Sequence, residues 1–219
     1  MKLDKEQIEK IDNQLEKLGV VYVDYKFEIL DHIASEVEKL MEETNTNFDE
    51  SLSFILEKWK IKFRKSSSAT FGLIWLLPEI LQQKAKKLYW KKMLQLFLTA
   101  AIFTPILLLF KDNFSKNSSL ILYAVFIIFL IQVMGYIAIK ISKHKTTFGF
   151  LYKQQFFALL FLYFIELYNL YNNSRIFEPA IERVYPVFFM IALLISAAFA
   201  NFSFFKAHFT ELNKTSKLI

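Results

Sequence analysis

The chain has no cysteine among its 219 residues, and it has only four glycines and four prolines. Without cysteine it cannot form a disulfide, a thiolate nucleophile or a cysteine-ligated metal site. The scarcity of glycine and proline argues against β architecture, and so does the lack of any long alternation of apolar and polar residues. The sequence therefore predicts an all-α fold.

The motifs of the common soluble active sites are also missing. The chain contains no GxxxxGK[ST] phosphate loop, no HExxH zinc motif, no GxSxG nucleophile elbow and no EF-hand spacing. We therefore predict a protein that is not an enzyme and that has no catalytic residues, no cofactor and no metal site. His144 and His208 lie in lysine-rich stretches, where we expect solvated side chains.

Long apolar runs are what the chain has in abundance. Hydrophobic residues make up 54% of it, and its mean hydropathy is +0.30. A membrane-crossing helix needs about 20 apolar residues to span a hydrocarbon core of roughly 30 Å. Four runs satisfy this and predict a four-helix membrane bundle over residues 93–205, followed by a tail at 206–219: Met93–Phe110, Leu120–Ile139, Phe150–Tyr171 and Tyr185–Phe205. The N-terminus carries charges throughout, so we expect no cleaved signal peptide.

Lysine and arginine are distributed unequally between the two ends of these runs. Eleven lie at one set of ends and four at the other, which predicts a multi-pass protein with both termini in the cytoplasm. The net charge of +6 fits anionic lipid headgroups and offers no stripe for nucleic acid. The predicted headgroup contacts precede the first run: Lys84, Lys86, Lys87, Lys91 and Lys92.

Residues 1–65 have the pattern of three amphipathic helices that share one small core. Asp4 with Gln7 forms a candidate capping box, Gly19 ends the first helix, and Asn47 is a candidate N-cap of the third. We predict that this region folds as a cytoplasmic three-helix domain.

Residues 66–92 read as a connection between this domain and the spans. Three consecutive serines, Ser66–Ser68, are the expected joint. Phe71–Leu81 is apolar but too short to cross a membrane, and Gln82–Lys92 is basic and carries aromatic residues. This combination predicts a helix in the plane of the headgroups, and the alternative is a fourth helix packed on the soluble domain.

The second and third helices resemble the HAAS-type domains, small bacterial helical modules found beside sensors and before permease segments. Asp31, His32, Glu36 and Glu38 match the acidic second helix of that family, and Phe48 with Glu50 matches the start of the third. The chain departs from the pattern at Ser51, where alanine is usual, and it lacks the glycine usual in the preceding turn. The resemblance covers about residues 1–65 and implies a regulatory or signalling protein of the bacterial inner membrane, without catalytic residues to transfer.

Glu28, His32 and Glu36 are spaced four residues apart and so share one helix face. This candidate interaction face could respond to pH, because flanking carboxylates favour the imidazolium. Alternatively, His32 borders the core and simply bonds to its neighbours. Three successive turns are too far apart to hold one metal ion.

Inside the spans, the polar residues of interest are Gln132, Glu166 and Asn201. Amides in a bundle serve either as hydrogen-bonding links between helices or as part of a substrate path. Glu166 should face the bundle, and Tyr163 or an arginine of the third loop, Arg175 or Arg183, is its candidate partner. Ala192, Ser196 and Ala200 form a small-residue stripe that permits close helix approach.

Three functions remain open from the sequence. The first is a regulatory membrane protein whose residues 1–65 bind a protein partner, with a homo-oligomer also possible. The second is a transporter or permease component with a polar path near Gln132, Asn201 and Glu166. The third, an integral-membrane enzyme, is disfavoured because the spans lack clusters of histidine and acidic residues.

Overall fold

The computed structural model of the chain describes residues 2–116, 118–172 and 181–215, leaving aside the side chains of 72–75, 114–119 and 169–184. The predicted all-α fold is confirmed. Within the described ranges the helices are α1 Lys5–Lys17, α2 Val23–Thr44, α3 Phe48–Phe63, α4 Glu79–Leu109, α5 Lys111–Lys116, α6 Ser118–Ile141, α7 Thr147–Asn172 and α8 Ile181–Thr215.

The expected joint at the three serines is a β-strand in the structure. Strand β1 (Lys65–Ser68) pairs antiparallel with β2 (Gly72–Pro78). The hairpin is held from α4, where the Nε2 of Gln82 donates to the backbone oxygen of Ser66 and, over 2.8 Å, to its Oγ. Phe71 is fully buried at the turn. The serines therefore supply backbone groups to the β-ladder and side-chain acceptors at the position where a joint was expected.

The basic segment Gln82–Lys92 is not a separate helix, because it lies inside the 31-residue α4 and continues directly into the first apolar run. Pro78 precedes α4, and the next proline, Pro105, falls 27 residues later, so nothing interrupts the helix between them. Leu81, in the first turn of α4, is buried in the core of the helical domain.

The chain divides into two compact units. The first comprises Met1–Lys87, Lys143–Thr147 and Phe209–Ile219, and the second comprises Leu88–Ser142 and Phe148–His208.

In the first unit, the predicted helix boundaries are present. Asp4 and Gln7 form the reciprocal capping box of α1, and Asn47 accepts from the backbone N–H of Glu50 at the start of α3. Gly19 takes a φ of +86° after α1, a conformation that costs a residue with a Cβ more than it costs glycine. The buried core of α1–α3 includes Ile11, Leu15, Ile29, Ile33, Val37, Leu52, Ile55, Trp59 and Phe63.

The second unit is a transmembrane helical bundle. Four helices are long and apolar enough to cross a membrane within the described residues: Glu79–Leu109, Leu120–Ile141, Thr147–Tyr168 and Tyr185–Thr215. In the apolar stretch of each helix, 17% of the residues are buried in the first two helices, 44% in the third and 56% in the fourth. The third and fourth spans, in α7 and α8, therefore form the inside of the bundle, and the other two present most of their surface to lipid.

Candidate functional site

A group of backbone and side-chain contacts, here called the loop clasp, ties the start of α2 to the loop between α6 and α7. Tyr22 forms a parallel β-bridge with Lys145, and the N–H of Val23 donates to the Lys145 carbonyl over 2.9 Å. Asp24 Oδ1 accepts from the N–H of Thr147 over 2.9 Å. Because Thr147 is the first residue of α7, Asp24 acts as an N-cap supplied by another helix. All of these residues belong to the first unit.

The loop clasp is partly removed from water. Burial raises the pKa of Asp24, and the Thr147 N–H opposes this rise by stabilising the carboxylate. Burial also raises the pKa of the Tyr22 hydroxyl to about 12. The Asp24 carboxylate is thus committed to the loop.

An ion-pair network around the buried Lys26 lies two residues further along α2. The ammonium of Lys26 donates to Asp12 and to Glu16, each over 2.8 Å, and so links α2 to α1. Burial alone would lower the pKa of Lys26, but these hydrogen bonds raise it overall. The hydrogen bond from Lys26 also lowers the pKa of Glu16. The start of α2 is therefore fixed on two sides, by α1 and by the loop clasp.

In the second unit, the two predicted intramembrane amides meet. The Nδ2 of Asn201 on α8 donates to the Oε1 of Gln132 on α6 over 2.6 Å. The hydroxyl of Tyr152 on α7 donates to the backbone oxygen of Gln132 over 2.8 Å. All three side chains are at most 3% exposed. This amide cluster joins three of the four spans through hydrogen bonds, as the linking role predicts.

Gly135 makes room for the amide cluster. A Cβ at this position would overlap the hydroxyl of Tyr152 and lie 2.9 Å from its Cζ. Tyr152 can approach the Gln132 carbonyl only because residue 135 has no side chain. Neither Gly135 nor Tyr152 is among the intramembrane residues that the sequence pattern predicts to be functional.

Glu166 is fully buried in the bundle, as expected of an intramembrane carboxylate. Its candidate partner Arg175 lies outside the described residues, and so does the side chain of Arg183. Glu166 belongs to a buried stripe of α7 whose members recur at three- and four-residue steps: Tyr152, Gln155, Leu159, Tyr163 and Glu166. By the rise of an α-helix this stripe extends about 21 Å. That spacing was the signal from which Tyr152 and Gln155 could have been found.

The three residues of the predicted interaction face, Glu28, His32 and Glu36, do not share one partner in the structure. Glu28 forms an ion pair with Lys84. Glu36 accepts from Lys58 over 2.9 Å and from Trp59 Nε1 over 3.3 Å, and although burial opposes the change, these bonds lower its pKa. His32 is exposed.

The predicted headgroup lysines differ in their surroundings. Lys84 is occupied by Glu28 and lies 4.5 Å from the ring centroid of Tyr25. Lys87 and Lys91 are exposed, and Lys86 and Lys92 are half-buried. Lys84 therefore has a structural role inside the first unit, where it contacts both Glu28 and Tyr25 of α2.

The expectation of a solvated His208 is wrong. His208 is fully buried, and its Nε2 lies 3.0 Å from the Oγ of Ser142 at the end of α6. The reason is that α8 does not end with the apolar run but continues to Thr215. His208 thus adds a polar contact between α8 and α6.

The chain matches no protein-family model, and neither the curated proteins nor the solved structures contain a match to it. Among the described residues, no three histidine or acidic side chains converge as metal ligands. Four apolar helices with buried polar contacts between them define an integral membrane protein.

Proposed function

We propose that this protein is a non-enzymatic regulatory or signalling-associated membrane protein. In this proposal α1–α3 bind a protein partner, and the helical bundle anchors the protein in the membrane and responds to that partner. The loop clasp carries this proposal. It makes Asp24 of the helical domain the N-cap of α7, the helix that bears the buried polar stripe. A partner that displaces α2 would therefore remove a cap from α7 and change the end of a central span.

The exposed surface of α3 supports a partner-binding role. Phe54 and Ile61 lie two turns apart on one face and are 64% and 74% exposed. Exposed apolar side chains at seven-residue spacing can serve as anchors for a partner helix. The resemblance of residues 1–65 to HAAS-type modules points to the same class of function.

The proposed location is the bacterial inner membrane, with both termini in the cytoplasm. The lysine asymmetry supports this orientation. So does the composition of the first unit, which contains the N-terminal region, the loop after α6 and the C-terminal end of the chain, as expected if these three segments share one side of the membrane.

Reporter fusions test the orientation directly. We expect fusions after Lys116 and after Arg175 to report the periplasm, and a fusion after Lys145 to report the cytoplasm. Each position is a loop between predicted spans, so the reporter samples one side only. A periplasmic signal after Lys145 would contradict the orientation.

Breaking the loop clasp tests the regulatory proposal. We expect Asp24→Ala to remove the cap of α7, which costs about 1 kcal/mol at that helix end. Because the chain has no native cysteine, nitroxide labels can be placed at exposed positions 140 and 168, near opposite ends of α6 and α7. Their distance distribution, measured by double electron–electron resonance, should shift or broaden in Asp24→Ala.

Asp31→Ala is the matched control, since Asp31 is an exposed aspartate of α2 outside the loop clasp. Its distance distribution should equal that of the parent. If Asp24→Ala also leaves the distribution unchanged, the loop clasp does not transmit to the bundle and the regulatory proposal fails.

A second candidate function, a transporter or permease component, is favoured by the amide cluster and by the full burial of Glu166. Glu166→Gln separates the two functions. If Glu166 is structural, as we expect, Gln preserves its size and hydrogen bonding, and both membrane level and cellular phenotype stay near normal, whereas Glu166→Leu lowers the membrane level. Loss of phenotype in Glu166→Gln at normal protein level would instead support transport.

A further inference from the structure

A groove of about 820 Å³ runs between α6 and α8 in the second unit, within the size range of small-molecule sites. Its walls are apolar, and its flanking residues Met134, Phe199 and Phe202 are 63–71% exposed. These residues belong to membrane-crossing segments, so the groove opens sideways toward lipid.

The floor of the groove holds two polar side chains, although nearly all of its exposed surface is apolar. Gln132 and Tyr152 of the amide cluster line it. Gln132 accepts from Asn201 through Oε1 and from Tyr152 through its backbone oxygen. Within the described part of the chain, these two hydrogen bonds do not use the Nε2 of Gln132, which remains available as a donor. An amide donor that lines an apolar groove gains a hydrogen bond from any acceptor that enters.

The chemistry of the groove selects its occupant. A soluble polar molecule would gain little from walls made of Ile131, Met134 and Phe199, and it would have to cross lipid to reach them. A hydrocarbon would pack against the apolar walls but would leave the amide donor of Gln132 without an acceptor. In a molecule with an acyl chain and one carbonyl oxygen, the chain would contact the apolar walls and the oxygen would accept from the amide donor.

We propose that the groove between α6 and α8 binds an acyl-ester lipid that enters laterally from the membrane, with its carbonyl oxygen accepting from Gln132 Nε2. Gly135 belongs to this site because it lines the groove and lets Tyr152 form the floor. The site does not depend on a protein partner or on the loop clasp, so it stands or falls separately from the proposed function.

Photolabelling of the full chain in detergent tests the site. The two probes are a fatty-acid methyl ester with a diazirine on its chain and an alkane of the same length with the same diazirine. We expect the ester to label the groove at Met134, Phe199 or Phe202 saturably, with at least a fivefold loss of labelling under excess unlabelled ester. The alkane should label exposed positions on all spans without saturating.

Filling the groove is the second arm. Ala138 and Ala198 both line it and take no part in the hydrogen bonds of the amide cluster, so Ala138→Phe with Ala198→Phe should abolish the saturable labelling. Ala101→Phe is the matched control, because Ala101 is exposed on α4 outside the groove. Ala198→Phe alone should reduce the labelling if the double variant is unstable.

Two results would overturn the proposal, and both can be obtained with the unsubstituted protein. Ester labelling that follows lipid exposure on every span and resists competition would show ordinary lipid contact only. Equal, saturable labelling of the groove by ester and alkane would show that the amide donor does not select the occupant.

Discussion

Ile33→Asp is expected to unfold the α1–α3 domain. Ile33 is fully buried among apolar side chains of α1, α2 and α3. A carboxylate there loses its hydration without gaining a partner, and such a change costs on the order of 4 kcal/mol or more. A single core of this size rarely supplies more than about 3–5 kcal/mol of stability, so a loss of this size leaves much of the population open.

Amide hydrogen exchange of the full chain in detergent measures this effect. Peptides from α1–α3 should lose their protection in Ile33→Asp, while peptides from α6 to α8, whose apolar side chains form a separate cluster, should keep theirs. Ser35→Asp introduces the same charge at an exposed position two residues away and should leave exchange unchanged. Parent-like protection of α2 in Ile33→Asp would contradict the observed core.

Gly135→Ala is expected to destabilise the bundle by about 2–4 kcal/mol. The new methyl group overlaps the Tyr152 hydroxyl, and overpacking of this kind costs about 1–3 kcal/mol. Displacing Tyr152 also breaks its hydrogen bond to the Gln132 carbonyl, worth about 1 kcal/mol more. The thermal midpoint in detergent should fall measurably, and ester labelling of the groove should fall with it.

A double-mutant cycle with Tyr152→Leu identifies the cause. In that background the atoms that the methyl group would meet are absent, so Gly135→Ala should cost less than 1 kcal/mol. An equal cost in both backgrounds would place the effect in the backbone of α6 and not in the contact with Tyr152.

Much of the fold follows from local sequence alone. Apolar runs of membrane length predict four spans because a hydrocarbon core leaves a backbone few alternatives to the helix. The boundaries of α1 and α3 were predictable from Asp4, Gln7 and Asn47, because a capping side chain bonds to backbone groups only three residues away. The inward position of Glu166 followed from the cost of a carboxylate in lipid.

Contacts that the local residue pattern does not reveal decided the rest. The three serines became strand β1 because Gly72–Pro78 pairs with them and Gln82 holds them, and a serine run alone carries no such signal. His208 became buried because α8 continues past its apolar run.

The sequence by itself determined the class of this protein: an all-α chain with four membrane spans, and polar residues placed within them. Only the tertiary structure showed that Gln132, Tyr152 and Asn201 form one cluster from three helices. Likewise, only the structure showed that Asp24 caps a helix beginning 123 residues later. The physical reason is range: hydropathy and capping act within a few residues of the chain, whereas these hydrogen bonds exist only once distant helices have packed.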